Sequence, residues 1–257
     1  MKTRILRNKP LVEAIFELRW ELQSQQGGIR VDPHYGVLVG RLYERVREDY
    51  PFHEPLPTAT IPEEIAGYVI QHRFRCADGE WPLVQVGPGV VTLNDTREYT
   101  WEDFKRRIVA LVGALFEAHL DAERGLRVSR VLLRYINAVE FDYSRSDLFH
   151  FLKDELKISI EMDEALFENT EVTRVPLGLD ARLSFALEDP KGTLHVRFAR
   201  GEREGSPSVV WETNIQSSGE DAPQSKEVIL GWADKAHGVT EDWFFETIEG
   251  DLQRRFE

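Results

Sequence analysis

Residues 11–22 read LVEAIFELRWEL, with Val12, Ala14, Phe16, Leu18, Trp20 and Leu22 on one side of a two-residue period and Glu13, Glu17, Arg19 and Glu21 on the other. That alternation predicts a strand with one buried and one wetted face, and therefore an antiparallel sheet covered on one side. The period returns in residues 68–76, which set Tyr68, Ile70, His72, Phe74 and Cys76 against Gln71, Arg73 and Arg75. Residues 128–141 oppose Val131, Leu133, Tyr135, Val139 and Phe141 to Arg130, Arg134 and Glu140, and residues 174–188 alternate throughout. Shorter strands are predicted at 83–86, at 194–198 and at 209–215. Gly87-Pro88-Gly89 is read as a hairpin or bulge, Asn94-Asp95 as a turn, and the charged stretch 200–207 as a loop.

Between these segments the period changes. From Trp101 the positions Phe104, Ile108, Leu111 and Leu115 recur at helical spacing. Thr100 suits the cap and Glu102 and Asp103 suit the positive end of the dipole. Residues 108–116 are apolar or small nearly all round, so this helix is expected to be buried on more than one side, with Gly125 ending its exit. Asp32-Pro33 predicts the start of a first helix carrying Leu38, Leu42 and Val46, and Asp147 caps a short one over 148–156. Ser225 is read as capping a helix to Ala236 that stops at Gly238, and Thr240 as capping a last one over 241–256. Prolines 51, 55, 57 and 62 predict an extended connection over 51–64 with no period.

The order is strand, helix, strands, long helix, and then the same again. It predicts an α+β fold, an antiparallel sheet with helices packed on one face. Two β-α-β-β-α halves are expected, residues 1–125 and 126–257, joined in one continuous globular unit like the duplicated TATA-binding-protein-like or helix-grip classes. At an offset of 140 Thr100 falls on Thr240, Phe104 on Phe244 and Ile108 on Ile248. Any two amphipathic helices can be slid into such agreement, and it is the element order that favours a duplication. The segments NKPLVEAIFELRW, VQVGPGVVTLND, YTWEDF and LLRYIN resemble a sporadically distributed, functionally uncharacterised bacterial family of this length. The resemblance covers essentially the whole chain and carries no reaction onto particular residues. It implies a setting in mobile defence or toxin–antitoxin cargo.

Composition narrows the class. With 42% hydrophobic and 30% charged residues the chain has a globular composition, and a net charge of −13 makes general nucleic-acid binding unexpected. Cys76 is the single cysteine, which excludes an intrachain disulfide and suits a reducing cytoplasm. The apolar run 108–116 is too short for a membrane span, so no membrane association is expected.

No P-loop, dinucleotide fingerprint, GxSxG elbow or HExxH is present, and no catalytic set, cofactor or metal is predicted. His150 and Asp154 lie one helical turn apart without a third ligand, and the acids at 161–164 and 168–171 read as a solvated loop. The tryptophans, Trp101 included, read as core. What remains is the wetted face of the sheet, where the strand phases collect Glu17, Arg73, Arg130, Arg134, Arg182, His195 and Arg197. Guanidinium groups on a rigid surface suit carboxylate or phosphate recognition, whereas a cross-strand ladder of ion pairs would need no ligand at all. The expectation is a non-enzymatic cytoplasmic interaction protein that takes a protein partner or an anionic ligand on this face, with a structural homo-oligomer as a further reading. The alternative is an enzyme holding a phosphorylated or nucleotide-like substrate on Arg73, Arg134, Arg182 and Arg197, with His195 or Glu17 as acid or base.

Overall fold

A computed structural model describes residues 6–96, 98–120 and 126–257, except for the side chain of Gln26. The first half of the described chain supplies β1 (Leu11–Trp20), the two-residue pair β2 (Gln23–Ser24) and β3 (Arg30–Val31), and α1 (Tyr35–Val46). It continues with β4 (Phe52–Pro55), β5 (His72–Arg75), β6 (Leu83–Gly87), β7 (Val90–Asp95) and α2 (Trp101–Ala118). The second half supplies β8 (Val128–Glu140), α3 (Leu148–Leu156), α4 (Ala165–Glu168), β9 (Asp180–Glu188), β10 (Lys191–Arg203), β11 (Ser206–Ser218), α5 (Lys226–Ile248) and α6 (Asp251–Phe256).

Nine strands form one sheet in the order β4-β5-β6-β7-β1-β8-β11-β10-β9, every neighbouring pair antiparallel. The two opening strands, β1 and β8, meet at its centre, and each half lays its remaining strands outward from there. This is the α+β architecture with a broad antiparallel sheet that the alternation predicts. The expected boundary at residue 125 lies outside the described residues.

The buried side of the sheet carries Ala14, Phe16, Leu18 and Trp20 from β1, Val91 and Leu93 from β7, Val131 and Leu133 from β8, and Trp211 and Ile215 from β11. Phe104, Ile108, Leu111 and Leu115 of α2 and Ile229, Trp232, Ala233 and Ala236 of α5 belong to the same core. Each large apolar side chain taken from water here contributes about 2–3 kcal/mol. α2 meets β7, α1 and α5, and only a stripe that includes Val109 and Ala110 remains exposed.

Several local differences have clear causes. A register shift between Leu11 and Glu13 turns Leu11, not Val12, into the core. The proline-rich stretch forms an edge strand, β4, where Pro55 costs little because an edge needs only one row of ladder bonds. Residues 174–179 stay outside β9 although they alternate. The expected loop at 200–207 is the tip of a long hairpin, β10 turning into β11 through Glu204 and Gly205, both at positive φ. Asn94 and Asp95 continue β7 rather than turn. Gly87-Pro88-Gly89 closes the β6–β7 hairpin, with Gly89 at φ +78 and its N–H 3.3 Å from the Asp32 carboxylate, which also accepts from Trp20 Nε1 at 2.9 Å.

The largest difference is α5, one helix of 23 residues where two were expected. Gly238 sits in its interior, and Thr240 is not a cap: its hydroxyl donates back to the Ala236 carbonyl at 3.0 Å. The caps read from sequence at Thr100, Asp147 and Ser225 each accept an N–H three residues on. Thr100 therefore corresponds to Ser225 rather than to Thr240, and the 140-residue alignment of the long helices fails. No helix among the described residues is long and apolar enough to cross a membrane.

Candidate functional site

The open face of the sheet does collect the residues that the strand phases placed there. Arg73 and Arg75 stand on β5, Glu17 and Arg19 on β1, Arg130 and Arg134 on β8, Glu212 on β11, His195 and Arg197 on β10, and Arg182 on β9. They engage one another. Glu17 accepts from Arg19 at 2.8 Å and from Arg130. Glu212 takes Arg134 and, at 2.8 Å, Arg197. Asp180 takes Arg197 and Arg182, each at 2.9 Å, and those two guanidiniums hold its carboxyl far below the usual carboxylate range. Glu54 takes Arg75 at 2.8 Å, with Arg73 at 3.8 Å. His195 Nδ1 lies 2.7 Å from Ser184 Oγ.

This is the cross-strand ladder, each carboxylate shared by two guanidiniums. Its members are drawn toward each other rather than toward a common ligand point, and neither Arg134 nor His195 lines the cavity beside Tyr135 or the one beside Tyr143. His150 Nε2 pairs with Asp154 at 2.9 Å on the surface.

The deeper site lies on the other side of the sheet and was missed. A cavity of about 520 Å³ opens between the N-terminal end of α2, the middle of α5, the helix-facing side of β8 and the segment leading into β1. Room for it comes from side-chain size. Tyr135 of β8 faces the helices, and its neighbours across the ladder on either side are the small Ala14 and Thr213. The phenol thus rises from a low floor. On α5, His237, Thr240, Glu241 and Phe244 recur at the spacing that puts them on one face, and all four line the cavity. Tyr99, in the turn before α2, is held by its own N–H to the Thr96 carbonyl at 2.9 Å and by Lys9 Nζ donating to its carbonyl at 2.5 Å. Trp101 opens α2 and stacks face to face on His237, with ring centroids 3.9 Å apart. Expected as plain core, it forms part of the wall.

Three polar groups run through this apolar lining as a chain. The hydroxyls of Tyr99 and Tyr135 lie 2.8 Å apart, and the Tyr135 hydroxyl is 3.0 Å from His237 Nδ1. Burial pushes His237 down to about 4, against smaller opposite pulls from Glu102 and Asp234. Burial also raises both phenols well above the ordinary tyrosine value. All three groups are therefore neutral near pH 7, and the chain has two directions: His237 receives a proton from Tyr135, or donates one to it. In the first arrangement the line of donors starts at Tyr99 and ends on the ring nitrogen. In the second, the Tyr99 hydroxyl is free to donate into the cavity.

No family model and no curated protein matches the chain. Among solved structures, one described as a rolling circle replication initiator protein from Geobacillus stearothermophilus is similar at 11% identity and a TM-score of 0.31, over 96% of this chain and 91% of that one. A replication initiator stands against two sequence expectations: a non-enzymatic interaction protein, and a chain for which general nucleic-acid binding is unexpected. Both are withdrawn. The weakness of the charge reading is physical, because −13 is a sum over the whole surface and says nothing of one face. At this TM-score the likeness carries no activity over to the present chain.

Proposed function

We propose that the protein binds a small organic molecule with an apolar body and one hydrogen-bonding end in the cavity beside Tyr135, and that Tyr99, Tyr135 and His237 give this site acid–base capacity toward it. The observation that carries the reading is the neutral histidine joined through two phenols to an apolar-walled cavity. Ordinary cores satisfy a buried polar group locally and fill the space around it. Here the hydrogen-bonded chain borders unfilled space, and the volume falls within the roughly 300–1,000 Å³ of small-ligand sites.

The chemistry follows from the chain. A ligand hydroxyl donating to Tyr99 can lose its proton as the Tyr99 proton passes to Tyr135 and the Tyr135 proton passes to His237 Nδ1. The ligand keeps the electron pair as an oxyanion, and the imidazolium forms at the far end, next to Glu102 and Asp234. Trp101 and Phe244 supply flat apolar surface for the body of the molecule, and Lys9 supplies a cation near Tyr99.

The test is a titration of simple phenols, p-cresol and 1-naphthol, followed by NMR of the Trp101 indole. Wild type is expected to shift with both. Thr213→Leu, which fills the floor, abolishes the shift in a folded protein, and Tyr135→Phe weakens binding several-fold. If neither phenol moves the Trp101 signal at millimolar concentration, the proposal fails.

A further inference from the structure

The two edges of the sheet are unlike. At one end β4 is four residues long, follows Pro51 and ends in Pro55, and such short, proline-marked strands discourage further pairing. At the other end β9 runs nine residues from Asp180 to Glu188 with no proline or lysine. Its register with β10 is unbroken from Ala199↔Asp180 to Lys191↔Glu188, so no bulge twists it away. It also shows solvent two large apolar side chains, Leu183 at 44% and Phe185 at 43% exposure. A straight edge with free backbone groups and apolar side chains invites another strand.

We infer that β9 is a dimerisation edge that pairs antiparallel with β9 of a second copy of this chain about a two-fold axis at Phe185. The occupant is argued from self-complementarity. With Phe185 opposite its own copy, Leu183 faces Leu187 of the other chain on the helix-side surface. On the open surface Arg182 faces Glu188, opposite charges at cross-strand distance. Moving the axis to Ser184 would instead set Asp180 against Glu188, two like charges, and moving it to Leu183 would leave Arg182 against Ser184. The Arg182 side chain is 70% exposed even with Asp180 beside it, so it can reach a second acid. The pairing would merge two nine-stranded sheets, with both helix layers on one side and both ion-pair ladders on the other. The inference is independent of the cavity, which lies away from β9.

Sedimentation of the full chain at micromolar concentration tests it, and the expected species has twice the 29.7 kDa chain mass. Phe185→Lys is expected to give a monomer that keeps the circular dichroism of the parent. Arg182→Glu and Glu188→Arg should each weaken the dimer at least ten-fold, and the double variant should restore it. That recovery is something a misfolded single variant could not show. A wild-type monomer, a Phe185→Lys dimer of unchanged strength, or a double variant no tighter than either single one would overturn the pairing.

Discussion

Removing one oxygen atom, in Tyr135→Phe, probes the hydrogen-bonded chain most directly. That hydroxyl is the middle member, with Tyr99 at 2.8 Å on one side and His237 Nδ1 at 3.0 Å on the other. Without it, two part-buried groups lose their partners, and each stranded group costs about 1–3 kcal/mol, less where water from the cavity can reach it. The expected loss is about 2–4 kcal/mol. Tyr99→Phe takes away an end member instead, leaves Tyr135 with His237, and should cost about 1 kcal/mol. The two changes should not add. Once Tyr135 lacks its oxygen, deleting the Tyr99 hydroxyl removes a group that already has no partner, so the double variant falls short of the sum by about 1 kcal/mol. Urea unfolding measures all four proteins; with a slope near 3 kcal/mol/M, a 3 kcal/mol loss moves the midpoint by roughly 1 M. A Tyr135→Phe midpoint within roughly 0.2 M of the parent, or strict additivity, would show that the three groups do not act as a chain.

Two further outcomes test the electrostatics. His237 sits at about 4 in the folded protein against an ordinary 6.5, so the unfolded chain binds more protons between those values. The stability tied to its neutrality is present above about pH 6.5 and is lost as pH falls through about 4, amounting to about 3 kcal/mol. The difference in unfolding free energy between wild type and His237→Gln should shrink across that window, and a flat difference would contradict the burial of the ring. In the ladder, Glu212→Ala strands Arg134 and Arg197 above a side chain only 13% exposed and should cost about 1–3 kcal/mol. Arg182→Ala, at a largely exposed site, should leave the urea midpoint essentially where it is in the parent.

What the sequence made legible was whatever depends on local period. The phases of residues 11–22, 68–76 and 128–141 placed Glu17, Arg73, Arg130 and Arg134 on one face, and Thr100, Asp147 and Ser225 were recognisable as caps. Pairing was not legible. The ladder needs Glu212 beside Arg134 and Arg197, which follows only when the order β8-β11-β10 and its register are known. The cavity is hidden for the same reason. Tyr135 sits on an apolar face and reads as core, and only the register that flanks it with Ala14 and Thr213 shows the space above it. His237 escaped notice because Gly238 and Thr240 look like a helix stop and a new cap. In a buried helix, however, a threonine can bond back to its own preceding turn, and glycine costs only about 1 kcal/mol when packing supports the helix.

The meeting of β1 and β8 at the middle of the sheet has a consequence for how the chain folds. The β6–β7 and β10–β11 hairpins turn within a few residues, whereas the central pair joins Leu18 to Val131. Closing so long a loop costs roughly 3 kcal/mol more conformational entropy than closing a tight turn. Each wing can therefore assemble from short-range contacts, while the midline waits until both wings offer enough surface to repay its closure.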